Sequence, residues 1–89
     1  MGKAEQEILE RLRRIEGQIA GVRRMQEDGR YCIDVLDQIS AVRAALSAVA
    51  LLILEGHVET CVHDAVEAGE GAEKGAELTA AVRRLLKSA

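Results

Sequence analysis

The feature that most constrains the fold is a stretch without proline that runs from Tyr31 to Cys61. Its central part, AVRAALSAVALLIL, is apolar nearly all the way round a helix. A helix that is apolar on every side must be covered by several other helices. The stretch therefore predicts one long helix, with Gly56 as a weak point, inside a helical bundle.

Shorter amphipathic segments flank this stretch. The first has apolar residues at every third or fourth position, which is typical of a helix with one buried face: Ile8, Leu12, Ile15, Ile19, Val22 and Met25. We expect a helix over about 4–27, ended by Gly29 in the left-handed conformation. Near the C-terminus, EAGEGAEKG at residues 67–75 predicts a linker, and a third helix is expected over about 74–87.

These segments predict an all-α fold with three helices per chain, in a single domain over residues 1–89. A chain of 89 residues can bury only a small core, so we expect it to self-associate. The longest apolar run, near 44–54, is about half of the roughly 20 residues that a membrane span needs. No secretory signal pattern opens the chain, so a cytoplasmic protein with no membrane partner is expected.

Three residues suggest chemistry: Cys32, His57 and Cys61, in a chain with two cysteines and two histidines. His57 and Cys61 would lie one turn apart on one helix face, where a single ion could contact both. At a rise of about 1.5 Å per residue, Cys32 would lie roughly 38 Å from His57 along that helix. Only an antiparallel partner helix could bring Cys32 of one copy to His57 and Cys61 of the other.

Two thiolates and one imidazole favour Cu(I), whereas Zn²⁺ normally takes a fourth ligand. His63 lies about 200° around the helix from Cys61 and is expected to face elsewhere. The spacing is equally compatible with cysteines that pack as small apolar residues and a histidine at an interface.

The net charge of −3 argues against a simple polybasic nucleic-acid binder. The arginines nevertheless concentrate in the first third of the chain: Arg11, Arg13, Arg14, Arg23, Arg24 and Arg30. Glu7 with Arg11, and Glu10 with Arg14, are also ordinary i,i+4 pairs of a solvated helix. Arg43 interrupts the apolar stretch, either with its side chain extended to solvent or in a functional role.

The string RRIEGQIAGVRRMQEDGRYCIDVLDQISAVRAAL, followed by His57-x3-Cys61, resembles the copper-sensitive operon repressor (CsoR) family over nearly the whole chain. The resemblance implies a dimer that forms an antiparallel four-helix bundle, a homotetramer built as a dimer of dimers, and no helix-turn-helix motif. Sister branches that sense nickel or cobalt carry an N-terminal histidine, which this chain lacks. A persulfide-sensing branch lacks the middle histidine, which this chain keeps.

The resemblance also implies roles for particular residues. Cys32 of one subunit, with His57 and Cys61 of the other, would bind Cu(I), and Tyr31 and Glu77 would support these ligands from outside. The DNA contacts of the family map onto basic residues of the first two helices. Arg11 matches one such position, and the further candidates are Arg13, Arg14 and Arg43.

The function expected from these features is a copper(I)-responsive transcriptional repressor that binds operator DNA without metal and releases it on binding Cu(I). One alternative is a thiol or persulfide sensor of the same fold, in which Cys32 and Cys61 of neighbouring chains form a bridge. Another is a helical assembly module without a ligand. An enzyme is not expected, because a lone Cys/His pair has no third group to orient it for nucleophilic catalysis.

Overall fold

Helices make up nearly all of the described chain. The computed structural model describes residues 2–57, 61 and 63–87, and within them it contains four helices and no strand. They are α1 (Lys3–Glu27), α2 (Cys32–His57), α3 (His63–Glu67) and α4 (Gly71–Lys87). The chain divides into two compact units between Leu54 and Glu55. The all-α class is thus confirmed, whereas the predicted count of three helices is not confirmed, because four helices are described.

α1 lies where the apolar period predicts it. Ile15, at the middle of the apolar face, is only 4% exposed. The helix ends after Glu27 because Gly29 adopts a φ of +66°, which residues with a Cβ rarely adopt. The Arg30 N–H then donates to the carbonyl oxygen of Met25 at 3.0 Å, which satisfies one of the last carbonyls of the helix.

α1 and α2 share a small apolar core in the first unit. Its buried residues are Ile15, Val42 and Val49, and partly buried residues pack against them: Ile8, Leu12, Val22 and Ala45. The connection at residues 28–31 lies about midway in sequence between Ile15 and Val42, and also about midway between Ile8 and Val49. This arrangement is typical of two antiparallel helices joined by a short turn.

α2 begins at the predicted place. The Tyr31 carbonyl oxygen accepts the N–H groups of Asp34 and Val35 at 3.0 and 3.2 Å, which forms the first turn. The described part of α2 runs to His57, and Cys61 has a π-helical backbone. Residues 58–60 and 62 lie outside the described part of the chain, so the predicted continuation of this helix through Cys61 stays a prediction.

The second unit contains a short helix and a longer one that pack together. The predicted linker over 67–75 is wrong, because α3 and α4 are separated by residues 68–70 only. Gly69 has a φ of +82°, and the Glu70 N–H donates to the Ala65 carbonyl oxygen at 2.7 Å. α4 then begins at Gly71, three residues before the predicted start. The glycines that suggested a linker therefore form the turn and the first helical turns.

Few side chains are buried within the described residues. Beyond the buried core of the first unit, only Val35 and Ala65 are buried, while many large apolar side chains of α2 are exposed: Ile33, Leu36, Ile39, Leu46, Leu51 and Ile53. By length and composition alone, residues 32–56 of α2 could cross a membrane. The core helix of a helical assembly meets the same criteria. Arg43, near the middle of α2, would cost about 2.5–3.5 kcal/mol at the centre of a bilayer.

Candidate metal centre

Cys32 is the first residue of α2 and its thiol is exposed. Tyr31, which precedes it, is 67% exposed and provides the carbonyl that begins the helix. Cys32 is therefore accessible to an ion that arrives from solution.

The other two predicted ligands are the last residue of α2 and the residue four positions later. His57 is the last residue of α2, and its side chain is outside the described part of the structure. The Cys61 side chain is exposed. The predicted placement of both residues on one helix face depends on residues 58–60, which the structure does not describe, so it stays a prediction. Among the residues that are described, no three histidine, cysteine or acidic side chains group closely enough to hold a metal ion.

Glu77, predicted to support the ligands, lies on the second turn of α4. Its Oε2 atom is 3.5 Å from Nζ of Lys74; the Glu77 side chain is exposed and that of Lys74 is half-buried. His63 Nε2 is 3.2 Å from Oε1 of Glu67 on α3. Neither pair was predicted from the sequence, although side chains three or four residues apart on a helix are neighbours.

The predicted DNA-binding arginines differ in their surroundings. Nη2 of Arg11 is 3.3 Å from Oε1 of Glu7, as the i,i+4 spacing predicts. The predicted pair of Glu10 with Arg14 does not form, and no described residue forms an ion pair with Arg13, Arg14 or Arg43. All three of these side chains are exposed. Arg43 follows the buried Val42 directly, so its charge points away from the small core.

Comparison with known proteins identifies the family. A family model described as metal-sensitive transcriptional repressor matches residues 4–84. The chain belongs to this family. It is 46% identical over 86 residues to the copper-sensing transcriptional repressor CsoR of Bacillus subtilis, covering 97% of this chain and 85% of the relative. It is 56% identical over 80 residues to the copper-sensing repressor RicR of Mycobacterium tuberculosis, covering 88% and 83% respectively.

Solved structures support the same assignment. The crystal structure of the copper-sensing repressor CsoR with Cu(I) from Geobacillus thermodenitrificans matches with a TM-score of 0.89 and 45% identity, over 97% of this chain and 91% of that one. The nickel-responsive regulator InrS matches with a TM-score of 0.75 and 44% identity, over 89% of each chain. The CsoR-like fold and the resemblance inferred from the sequence are confirmed. Because both metals occur among these similar proteins, the fold alone does not select the metal.

Proposed function

We propose that this protein is a copper(I)-responsive transcriptional repressor whose metal-free form binds operator DNA and whose Cu(I)-bound form releases it. The observation that carries the proposal is the set of Cys32, His57 and Cys61 in a chain up to 56% identical to copper-sensing repressors. As a regulator of transcription, it would act in the cytoplasm, where bacterial DNA lies.

The proposed copper site lies between two copies of the chain. Cys32 begins α2 and His57 ends it, so about 37 Å of helix separates them at 1.5 Å per residue. An antiparallel second copy would bring Cys32 of one chain to His57 and Cys61 of the other, in two equivalent sites. Both thiols are exposed, as a site with ligands from two chains requires. Bound Cu(I) supplies a soft cation that accepts two thiolates and one imidazole.

The proposed assembly is an antiparallel four-helix-bundle homodimer that pairs into a homotetramer. Its support is the exposed apolar surface of α2, which a single chain of this size does not bury. Operator DNA would be bound by exposed arginines of α1 and α2: Arg11, Arg13, Arg14 and Arg43. Arg11 would exchange its carboxylate partner Glu7 for a phosphate. The cost of this exchange is small, because an exposed i,i+4 pair contributes only about 0.3–0.5 kcal/mol.

Tyr31 and Glu77 would couple the site to the rest of the protein. Tyr31 is adjacent to Cys32, and its exposed ring can reach a neighbouring chain. Glu77 would leave its exposed pair with Lys74 and pull α4 toward the ligands. Coupling between metal and DNA is reciprocal and typically amounts to about 1–3 kcal/mol, or roughly fivefold to 150-fold in operator affinity.

The first test titrates a fluorescein-labelled operator duplex with protein, under anaerobic conditions, with and without Cu(I). The duplex is selected from a random-sequence pool with the metal-free protein. We expect saturating Cu(I) to weaken binding at least about fivefold. Unchanged affinity at saturating Cu(I) would defeat the proposal.

The matched variant is Cys32→Ala. It removes one ligand but disturbs no core packing, because Cys32 is exposed. We expect metal-free DNA binding to stay within about twofold of wild type, since surface substitutions are usually nearly neutral, while the response to Cu(I) is abolished. A variant that still responds fully to Cu(I) would exclude Cys32 as a ligand.

Nickel sensing is the second candidate function, because the chain is 44% identical in sequence to the nickel-responsive regulator InrS. The two thiolates favour Cu(I) over Ni²⁺ by their softness, and the chain has only two histidines. Repeating the DNA titration with Ni²⁺ distinguishes nickel sensing from copper sensing. Release of DNA by Ni²⁺ but not by Cu(I) would favour nickel sensing.

A thiol sensor is a third candidate, supported by the exposure of both cysteines. It predicts a covalently linked dimer after persulfide treatment, seen by non-reducing mass spectrometry. A copper sensor instead predicts retained Cu(I) and a thiolate-to-metal absorption band in the near ultraviolet. A ligand-free assembly module predicts neither result.

A further inference from the structure

The positive charge of this acidic chain is concentrated on α1. Residues 11–24 contain five arginines and a single acid, Glu16, whereas the whole chain carries a net charge of −3. The arginines form two groups near the two ends of this segment, at residues 11–14 and at residues 23–24. An anionic partner that contacts this chain would therefore be attracted to α1.

Ion pairs divide these arginines into two kinds. Arg23 Nε is 3.4 Å from Oε1 of Glu27, and Arg11 is paired with Glu7 in the same way. Arg13, Arg14 and Arg24 form no ion pair with any described residue, and all three are exposed. A paired arginine must exchange its carboxylate for a phosphate, which costs a little free energy for an exposed i,i+4 pair. The unpaired arginines bear no such cost.

Arg13 and Arg24 lie on the same side of α1. They are eleven residues apart, which is about three turns and roughly 16 Å along the helix axis. Gly17 and Ala20 lie between them on this side, and Gly21 and Glu16 lie at its two edges, each about 70° from its centre. A Cβ built at Gly17 has no atom within 4 Å, and one built at Gly21 meets only Nη2 of Arg24, at 4.0 Å. Along the centre of this side, no side chain larger than a methyl group separates the helix backbone from a ligand, and the exposed Glu16 lies at one edge.

We infer that the outward face of α1 between Arg13 and Arg24 contacts the phosphodiester backbone of the operator, with Arg24 as a contact residue beside Arg13 and Arg14. The inference rests on the proposed repressor function and extends its binding surface by one helical segment. Its basis is charge complementarity, because guanidinium groups are the side chains best suited to hold phosphate oxygens. The spacing of roughly 16 Å allows contacts with phosphates that are not adjacent.

Arg23 and Arg24 provide a matched pair for the test. They are neighbours of the same type on the same helix, but Arg23 is paired with Glu27 and Arg24 is not.

The selected operator duplex is titrated with metal-free Arg24→Ala and Arg23→Ala at several salt concentrations. We expect Arg24→Ala to weaken binding about tenfold or more. It should also reduce the slope of log affinity against log salt by about 0.9 for each phosphate that is no longer neutralised. Arg23→Ala should change affinity less than about twofold, because Arg23 lies about 100° around the helix from Arg24, outside the face that Arg24 shares with Arg13.

Gly17→Leu tests how closely the DNA approaches the helix. Leucine is a much better helix former than glycine, so thermal denaturation should show an unchanged or higher melting temperature. Operator affinity should nevertheless fall, by about fivefold or more, because the side chain occupies the space next to the phosphates. Opposite changes in stability and affinity separate a steric block from misfolding.

Three results would overturn the inference. In the first, Arg24→Ala binds DNA like wild type. In the second, Arg23→Ala weakens binding as much as Arg24→Ala does. Either result would indicate that Arg24 only complements the dipole at the C-terminal end of α1. Gly17→Leu could change the sedimentation coefficient, which would make this face an interface between copies. If instead the wild type binds no duplex or ignores Cu(I), the proposed function itself fails.

Discussion

At the scale of single residues, Gly71 and Gly75 show how one residue type can have opposite roles one helical turn apart. A Cβ built at Gly71 comes within 2.8 Å of Cγ2 and 3.3 Å of Cα of Val66. A Cβ built at Gly75 has nothing within 4 Å. Gly71 therefore permits the close packing of α3 against α4, whereas Gly75 only weakens the helix.

We predict opposite effects of alanine at these two positions. Gly71→Ala forces Cγ2 of Val66 to shift and crowds its Cα, so the free energy of unfolding should fall by about 1–3 kcal/mol. Gly75→Ala should raise it by about 0.5–1 kcal/mol, because alanine is the better helix former. Circular dichroism during thermal denaturation, at one fixed protein concentration, gives both values. Equal effects of the two substitutions would contradict the packing described for Gly71.

Cys32, His57 and Cys61 could be proposed as ligands from the sequence because the chemistry of thiols and imidazole needs no neighbours to recognise it. Cys32 and Cys61 are the only cysteines, and their separation already implies that one chain cannot gather them on a single helix. The partners of Glu77 and His63 were missed. Each contacts an ionisable side chain three or four positions away on its own helix. The sequence shows this spacing, but the two side chains meet only where both residues are helical, so the helix boundaries had to be known.

At the scale of helices, apolar periodicity predicted α1 to within one residue and the start of α2. The prediction succeeded because one side of each helix packs on the shared core around Ile15, Val42 and Val49. It failed around α3 and α4, where glycine-rich composition suggested a linker. Composition reports intrinsic preference, which tertiary packing overrides when a glycine such as Gly71 is needed for close approach.

The connection between α1 and α2 depends on Gly29. Its φ of +66° is a left-handed conformation that costs a residue with a Cβ about 1–2 kcal/mol. Gly29→Ala should lower the free energy of unfolding by roughly that amount, measured by urea denaturation with an unchanged m-value. Gly29→Asn is the matched control, because asparagine tolerates this conformation best, and its stability should fall clearly less. Equal decreases for both variants would argue against the left-handed turn.

At the scale of the whole molecule, the described residues bury too little apolar surface to account for a stable isolated chain. The exposed apolar side chains of α2 and the separation of Cys32 from His57 favour the same proposal, in which a second copy covers α2 and completes the metal site. Self-association stays a prediction from the size of the chain. The sequence could not predict which surfaces meet, because that depends on packing between copies.

The most direct test of the intersubunit copper site mixes two inactive variants. Cys32→Ala keeps His57 and Cys61, and Cys61→Ala keeps Cys32, so neither homodimer contains a complete site. If each site takes Cys32 from one chain and His57 with Cys61 from the other, chains unfolded and refolded together should bind Cu(I) at about a quarter of the wild-type capacity. The measurement is anaerobic Cu(I) titration followed by thiolate-to-metal absorption. No copper binding beyond that of the separate variants would contradict the intersubunit site.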